Sequence, residues 1–338
     1  MKILLTGGSG FLGKNIVGHF NVMNICDGSS WNSLSDGPGG TVLEDKSELS
    51  YNVIPMSSKV YDLRDSYACK KAIDYYNPDV IIHAAGSVGG IQVNKENPGK
   101  FMYDNLSMGM NMMERARQYR DRTQKDVKFI MLGTVCSYPK FSPVPFKEED
   151  IWNGFPEETN APYGVSKKAL MMLADTYHRQ YGMNMVNLIP VNMYGPHDHF
   201  NLTSSHVIPA LILKFYNAMK NGEQEISVWG TGKASREFLY AGECAEAIRL
   251  AIHKDVGPEP INIGTDQETT IKDLVTEIGE QMGYEGEIVW QTDKPDGQPR
   301  RCLDTTKAKE LLGFETTIDL QTGLKHTIEW FLKKENKQ

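Results

Sequence analysis

The sequence predicts an α/β fold: a Rossmann-type doubly wound parallel sheet with a smaller carboxy-terminal α/β substrate-binding region. Three observations support this prediction. Short apolar runs alternate with segments of helical periodicity, a glycine-rich turn follows the first run, and the alternation loosens after residue 190. Because 338 residues are enough for a large α/β domain and a smaller partner, we place a Rossmann domain at 1–190 and a mainly substrate-binding region at 191–338.

Five short apolar runs predict the strands of the sheet. They occupy 3–6, 52–56, 80–83, 127–133 and 185–190. The segments with helical periodicity between them are 11–20, 66–76, 96–118 and 161–181. Such alternation is typical of a parallel sheet with helices on both faces. The turn-rich residues 21–50 interrupt it, and we expect them to form an inserted, mobile surface loop.

The pattern beyond residue 190 predicts a smaller region that closes over the sheet. Predicted helices lie at about 206–220, 243–253 and 270–282, predicted strands at 226–229 and 260–263, and predicted terminal helices around 305–312 and 319–333.

Composition and charge exclude several classes of protein. Lys and Arg number 36 against 43 Asp and Glu, and the net charge of −7 provides no general attraction for nucleic acid or for an anionic membrane. The five cysteines include no C-x-x-C pair, which argues against a zinc or redox site and favours a reducing compartment. No apolar run approaches the length of a membrane span, and the first run is too short for a secretory signal. We therefore expect a cytoplasmic protein that binds neither nucleic acid nor membrane.

The glycine-rich turn indicates a dinucleotide site. It follows the first predicted strand and opens the first predicted helix, where the backbone can approach a pyrophosphate and the helix amino terminus faces its charge. The residues expected to contact the cofactor here are Gly7, Gly8, Ser9, Gly10, Phe11, Leu12 and Gly13.

The choice between NAD and NADP depends on the residues that would reach the adenosine ribose. Asp27 suits the ribose hydroxyl of NAD, but it follows Gly13 too closely to leave room for both a helix and a strand. The segment 57–59 follows a better strand and offers two hydroxyls and an ammonium for a ribose phosphate, so we favour NADP. The residues expected at this end are Ser57, Ser58, Lys59, Asp62 and Leu63.

A tyrosine and a lysine four residues apart form the candidate catalytic pair. Tyr163 and Lys167 would share one face of a helix. Because a free tyrosine has a pKa near 10, it needs a nearby cation to act at neutral pH, and Lys167 would supply one. A surface pair is the ordinary explanation of a Y-x-x-x-K pattern. Thr134, which ends a predicted strand and offers a hydroxyl to a substrate carbonyl, favours the catalytic one.

These motifs together resemble the extended short-chain dehydrogenase/reductase family. Within it, further segments are similar to the GDP-L-fucose synthases in the same order along the chain, namely 88–91, 136–140, 192–198, 205–209, 228–232, 236–239 and 294–297. The resemblance implies an NADPH-dependent homodimeric enzyme. It would invert C3 and C5 of GDP-4-keto-6-deoxy-D-mannose and reduce the C4 ketone to give GDP-L-fucose.

The resemblance also implies roles for individual residues. Thr134 and Tyr163 would hold the ketone oxygen, and one such site serves both inversions and the reduction because both inverted carbons flank the ketone. Inversion needs acid/base groups on both faces of the sugar, and Cys136 and His206 match the family's pair. Substrate contacts are expected from Asn192, Lys214, Trp229, Arg236 and Asp296, and further cofactor contacts from Ala84, Ala85, Lys167 and Pro190.

Two alternatives stay open. A related enzyme could reduce another GDP-4-keto sugar, such as a heptose, with or without epimerisation. A non-catalytic nucleotide-sugar or NADP-binding protein is the other, although it would have no need for Thr134, Tyr163 and Lys167. His197 and His199 on either side of Asp198 could suggest metal ligands, but a solvated turn is the commoner explanation and the chemistry needs no metal.

Overall fold

The structure is a computed structural model that describes residues 1–26, 50–202, 204–294 and 296–336. Its strands are β1 (Lys2–Thr6), β2 (Asn52–Pro55), β3 (Val80–His83), β4 (Lys128–Leu132), β5 (Met185–Pro190), β6 (Asn192–Tyr194), β7 (Glu225–Trp229), β8 (Ser235–Tyr240), β9 (Pro260–Ile263), β10 (Glu268–Thr270) and β11 (Glu287–Gln291). Its helices are α1 (Phe11–Cys26), α2 (Ser66–Tyr76), α3 (Ile91–Glu96), α4 (Pro98–Thr123), α5 (Ala161–Tyr181), α6 (Val207–Asn221), α7 (Ala241–Ile252), α8 (Ile271–Met282) and α9 (Leu320–Glu335).

Six parallel strands form the main sheet, in the order β2-β1-β3-β4-β5-β9. The sheet separates two apolar layers because successive side chains of a strand point to opposite faces. Ile3 and Leu5 belong to the layer that includes residues of α1 and α7, whereas Leu4 belongs to the layer that includes residues of α2, α4 and α5. The predicted doubly wound α/β fold is confirmed.

The sixth strand comes from beyond the predicted domain boundary at residue 190. Every residue of β5 is buried, which requires a neighbour on each edge; β4 supplies one, and β9 pairs in parallel with the other. Helix α7 packs against α1 in the apolar layer that contains Ile3 and Leu5. Residues 241–263 therefore complete the main sheet, and a division at 190 does not separate that sheet from the rest of the chain.

Helix α1 continues to Cys26 instead of ending at residue 20, so the predicted insertion begins later than expected. Residues 27–49, with the predicted mobile loop and Asp27, lie outside the described residues. Within the described ranges, no helix is long and apolar enough to span a membrane.

A second apolar core lies beyond residue 190. It includes residues of α6, α8 and α9, and Tyr194, Phe215, Leu274 and Phe331 are among its fully buried members. Two small sheets accompany it, one in the order β10-β8-β6 and one that pairs β11 with β7. This core is the smaller carboxy-terminal α/β region of the predicted fold.

Candidate active site

A cleft of about 1870 Å³ contains most of the predicted site residues. It receives Gly7 from the end of β1, Thr134 from the end of β4 and Pro190 from the end of β5. Residues of the second core, such as Trp229, complete it. Parallel α/β sheets bind ligands in the crevice at the carboxyl ends of their strands. The volume exceeds the roughly 300–1,000 Å³ of a pocket for one drug-sized ligand, so two ligands fit.

The glycine-rich turn forms a backbone cradle at one end of the cleft. Gly7 has φ +71°, and an added Cβ there would lie 2.9 Å from the backbone of Ala84. An added Cβ at Gly13 would lie 2.2 Å from the carbonyl oxygen of Gly7. The first turn of α1 therefore packs directly on the loop, and its amino terminus opens into the cleft, as pyrophosphate binding requires. Gly8 packs against Pro55 instead of lining the cleft.

At the adenosine end of the cleft, Arg64 and not the predicted Lys59 contributes a positively charged side chain to the lining. Ser57 and Ser58 line the cleft, whereas Lys59 is exposed outside its lining. Arg64 lines the cleft instead, and its guanidinium binds both Asp62 (Nη2 to Oδ2, 2.7 Å) and Asp104 (Nη1 to Oδ1, 3.3 Å); the first contact lowers the pKa of the Asp62 carboxyl. Arg64 is only two residues from Asp62 in the sequence, so it lies within the segment that was predicted to contact the cofactor. The remaining cofactor residues predicted along the lining, Leu63, Ala84, Ala85 and Pro190, are all found there.

Close packing brings the predicted catalytic residues together. Gly164 lies against the single helical turn that follows β4, because an added Cβ at Gly164 would be 2.2 Å from the Cys136 carbonyl oxygen. Thr134 caps that turn, with Oγ1 accepting a hydrogen bond from the Cys136 N–H at 3.2 Å. Thr134 and Cys136 both lie near enough to the Tyr163 hydroxyl to influence its pKa, Thr134 by lowering it and Cys136 by raising it. Thr134, Cys136 and Tyr163 therefore form one cluster.

The electrostatics of this cluster are dominated by burial. Burial raises the pKa of Tyr163 above 10.0, and the negative charge that Cys136 carries when ionised acts in the same direction. Lys167 is buried, donates to the Leu132 carbonyl at 3.1 Å, and has its pKa lowered to about 8 by burial. The shift of Tyr163 is thus opposite to the lowering that we predicted from Lys167. Burial outweighs the contacts that favour the Tyr163 phenolate, because the Lys167 ammonium is directed to the Leu132 carbonyl.

His206 reaches the same cleft as the residue that precedes α6. Its loop is fixed by Gly90, whose N–H donates to the Ser204 carbonyl at 3.1 Å and whose added Cβ would lie 3.2 Å from the Ser205 carbonyl oxygen. The ring is open to the cleft but surrounded by protein on its other sides, and this desolvation lowers the pKa of His206. The segments 88–91 and 205–209, which were identified separately in the sequence, are therefore in contact.

Three predicted substrate residues line the cleft while bonded to protein partners. Asn192 donates to the Glu237 carbonyl at 3.1 Å, and Lys214 donates to the Ser227 carbonyl at 2.6 Å. The Asp296 carboxylate accepts from the N–H and the hydroxyl of Thr231 at 2.6 and 2.7 Å, which fixes the turn after β7. Their side chains are thus held in place at the cleft wall.

An aromatic side chain and two arginines complete the substrate end. Trp229 is 68% exposed and lines the cleft. Burial and the charge of Arg301 lower the pKa of Arg236 to about 10. Sequence reasoning missed Arg301, whose Nη1 lies 3.9 Å from the Cys136 Sγ. No local pattern could have found it, since the two residues are far apart in the chain.

The His197, Asp198 and His199 segment forms a packed loop. The His197 ring lies 4.9 Å from that of Trp330, centroid to centroid, and His199 contacts the Ser204 hydroxyl at 2.9 Å. Asp198 is buried and accepts from the His199 N–H at 2.7 Å. Across the residues that the structure describes, no group of three or more His, Cys, Asp or Glu could hold a metal ion.

Comparison with known proteins identifies the family. A family model described as the NAD dependent epimerase/dehydratase family matches residues 3–264. The chain belongs to this family. The GDP-L-colitose synthase of Yersinia pseudotuberculosis is 35% identical over 338 residues, 99% of each chain. The GDP-L-fucose synthase of Escherichia coli K12 is 37% identical over 286 residues, 82% of this chain and 87% of that protein.

A solved structure agrees with these relatives of the NAD dependent epimerase/dehydratase family. The GDP-L-fucose synthetase of Naegleria fowleri, crystallised with NADP, has a TM-score of 0.82 and 27% identity, and covers 99% of this chain and 95% of its own. The predicted resemblance to GDP-L-fucose synthases and the prediction of an enzyme are confirmed. The roles of single residues stay predictions.

Proposed function

We propose that the chain converts GDP-4-keto-6-deoxy-D-mannose to GDP-L-fucose by inversion at C3 and C5 and NADPH-dependent reduction at C4. One observation carries the proposal. Thr134, Cys136, Tyr163, Lys167 and His206 all line the cleft that also contains the glycine cradle. A single cleft therefore offers an oxygen-binding pair, two acid/base groups and a dinucleotide site.

NADP(H) is the cofactor. The cradle at Gly7 and Gly13 leaves no room for side chains and fits a pyrophosphate, while Ser57, Ser58 and Arg64 line the end where a ribose phosphate would lie. When bound, the cofactor supplies the hydride that reduces C4. The Naegleria fowleri relative was crystallised with NADP, in agreement with this assignment.

Thr134 and Tyr163 would bind the C4 ketone oxygen. Both residues line the cleft, and Thr134 is near enough to Tyr163 to influence the pKa of its hydroxyl, so the two hydroxyls could hold one oxygen atom between them. Because burial raises the pKa of Tyr163, the phenol stays protonated at neutral pH and can give its proton to the oxygen as C4 gains a hydride. Donors aimed at an oxyanion in a buried site are among the strongest catalytic contributions.

The same pair of hydroxyls would support inversion at C3 and C5. Both carbons flank the ketone, so polarising its oxygen acidifies the proton on each. Cys136 lies beside Thr134 and Tyr163, and His206 reaches the cleft from the start of α6. One group would remove a proton from a carbon and the other would return a proton to the opposite face.

The charges of the cleft favour a nucleoside diphosphate. Lys214 and Arg236 both line it, and Arg301 adds a third positive charge that is close enough to lower the pKa of Arg236. Arginine binds phosphate oxygens with two parallel hydrogen bonds. The GDP moiety of the proposed substrate would supply the matching negative charge.

The test is incubation with NADPH and GDP-4-keto-6-deoxy-D-mannose in deuterium oxide. NADPH absorbance follows reduction, and proton NMR of the product locates deuterium. We expect GDP-L-fucose with deuterium at C3 and C5. A reduced product that keeps both protons would overturn the inversion, and no oxidation of NADPH with this substrate would overturn the proposed reaction.

Cys136→Ser separates the two chemical steps. We expect it to impair deuterium exchange far more than the reduction of an already inverted ketone, because the thiol takes part only in inversion. Cys244→Ser is the matched control, since that cysteine is buried in α7 among residues of the main core. Equal loss of both steps in Cys136→Ser would contradict its assigned role.

A second candidate is the formation of GDP-L-colitose. The relative of that name matches 99% of this chain, whereas the Escherichia coli GDP-L-fucose synthase matches 82%. A higher kcat/KM with the 4-keto precursor of GDP-L-colitose than with GDP-4-keto-6-deoxy-D-mannose would favour it. The homodimer and the cytoplasmic location also stay predictions.

A further inference from the structure

We propose that Arg301 is a positioning residue for Cys136: it holds the sulfur at the cleft wall and provides the positive charge that stabilises the thiolate. The inference rests on the proposed function only in taking Cys136 as an acid/base group. It assigns Arg301 no contact with the reacting carbons.

The guanidinium of Arg301 is aimed by Gln298. Gln298 Oε1 accepts hydrogen bonds from Arg301 Nη2 at 2.9 Å and from Nε at 3.3 Å. This leaves Nη1 on the other side of the guanidinium, 3.9 Å from the Cys136 Sγ. The Gln298 amide is itself fixed, since it donates to the Lys140 carbonyl at 2.8 Å.

The backbone of this segment is held as firmly as the side chain. The Pro299 carbonyl accepts from the Ser235 N–H at 2.9 Å, and the Arg301 carbonyl accepts from the Glu237 N–H at 3.2 Å. The buried Glu237 carboxylate then accepts from the Leu303 N–H at 2.7 Å. Residues 299–303 therefore run beside β8, and Arg301 faces Cys136 with little freedom to move.

The neighbouring Arg300 shows what distinguishes Arg301. Arg300 is largely exposed and forms an ion pair with Glu268, so a carboxylate already compensates its charge. Within the described part of the chain, Arg301 forms no ion pair with a carboxylate, and the amide of Gln298 that it binds carries no charge. Lys140 and Glu157 line the same small cavity as Arg301 and have opposite charges, so the charge of Arg301 stays available to the sulfur.

The chemistry of cysteine explains why such a charge matters. The thiolate is the reactive form of cysteine, and a nearby Lys or Arg favours it. An opposite charge within about 4–6 Å changes the ionised fraction of a group by roughly tenfold or more at a fixed pH. Alkylation by iodoacetamide reports that fraction directly and needs neither substrate nor cofactor.

The experiment measures the alkylation rate of Cys136 by mass spectrometry of its peptide, so that the other cysteines do not interfere. At pH 7.0 we expect Arg301→Met to slow alkylation about tenfold, and Arg301→Lys to restore a substantial part of the rate because it keeps the charge. Gln298→Ala should give an intermediate rate. Arg300→Met is the matched control and should react like wild type.

A second measurement at pH 9.5 excludes a change of access or folding. Ordinary cysteine thiols are mostly ionised at that pH, so the Arg301→Met and wild-type rates should converge. Equal rates at pH 7.0, a loss of the same size at both pH values, or an equal loss in Arg300→Met would each overturn the inference. Since the assay contains no sugar nucleotide, its result is independent of the product analysis that tests the proposed function.

Discussion

Gly164→Ala should remove most of the turnover while leaving the cofactor site intact. An added Cβ at Gly164 would lie 2.2 Å from the Cys136 carbonyl oxygen and 2.9 Å from its carbonyl carbon, whereas ordinary contact begins at 3.4 Å. Both atoms belong to the backbone, so neither can rotate away. Helix α5 and the turn that carries Cys136 would have to separate by about 1 Å, and a misplacement of that size can lower a rate about 100-fold.

The assay compares turnover, cofactor binding and stability in the same protein. We expect kcat for NADPH oxidation to fall about 100-fold, with overpacking lowering the free energy of unfolding by about 1–3 kcal/mol. The dissociation constant for NADPH should change much less than kcat, because the cradle at Gly7 and Gly13 lies outside α5 and only Lys167 of the predicted cofactor contacts lies on that helix. Fluorescence titration and urea unfolding measure the last two quantities.

Gly18→Ala provides the matched control. Gly18 lies in α1 with no atom within 4 Å of an added Cβ, so alanine fits without strain and should stabilise the helix by up to about 1 kcal/mol. Turnover should equal that of wild type. If Gly164→Ala also kept wild-type turnover and stability, α5 would not rest on the Cys136 turn, and the grouping of Tyr163 with Thr134 and Cys136 would be refuted.

Three further substitutions test separate parts of the cleft. Tyr163→Phe should lower NADPH oxidation by about 10²–10⁴-fold with nearly unchanged NADPH affinity in a fluorescence titration, and wild-type turnover would contradict its role as proton donor. Arg236→Met should raise KM for the sugar nucleotide about 10–100-fold in steady-state kinetics, because a hydrogen-bonded charge is lost, and an effect on kcat alone would argue against phosphate binding. Burial raises the pKa of Asp198 to about 7. The folded protein therefore binds more protons than the unfolded chain between about pH 4 and 7, and its stability falls as the pH rises through that range. In urea unfolding, Asp198→Asn should be more stable than wild type by up to roughly 4 kcal/mol at pH 8, with a clearly smaller difference at pH 5; equal differences at both pH values would contradict this assignment.

The elements that local signals delimit were predicted best. Helix α5 matches the predicted 161–181, with a proline in its first turn and Gly182 in the left-handed conformation that ends it. Helix α2 matches 66–76 because Asp65 caps its start and Asn77 its end. These residues act within one turn of the boundary, so a single sequence contains the whole signal.

The parts that depend on distant contacts were not predictable in the same way. The run 260–263 reads as a strand, but its pairing with β5 is determined by which sheet edge remains uncovered, and that depends on the whole fold. The segments around Gly90 and His206 were both singled out, yet their contact becomes visible only in three dimensions. Lys59 was predicted at the cleft and Arg64 was not considered, because sequence order does not show which side chain a loop turns toward the cleft.

The two arginines of the substrate end favour an anionic ligand independently of the sequence motifs. Arg301 lowers the pKa of Arg236, which means that the two positive charges repel each other in the free protein. The Asp296 carboxylate, whose charge raises the pKa of Arg236, is already held by two hydrogen bonds from Thr231. Such repulsion lowers stability, so packing alone does not account for the arrangement. A diphosphate bound by Arg236 would offset this repulsion while Arg301 remains directed to Cys136, and the arrangement therefore favours binding of a nucleoside diphosphate sugar.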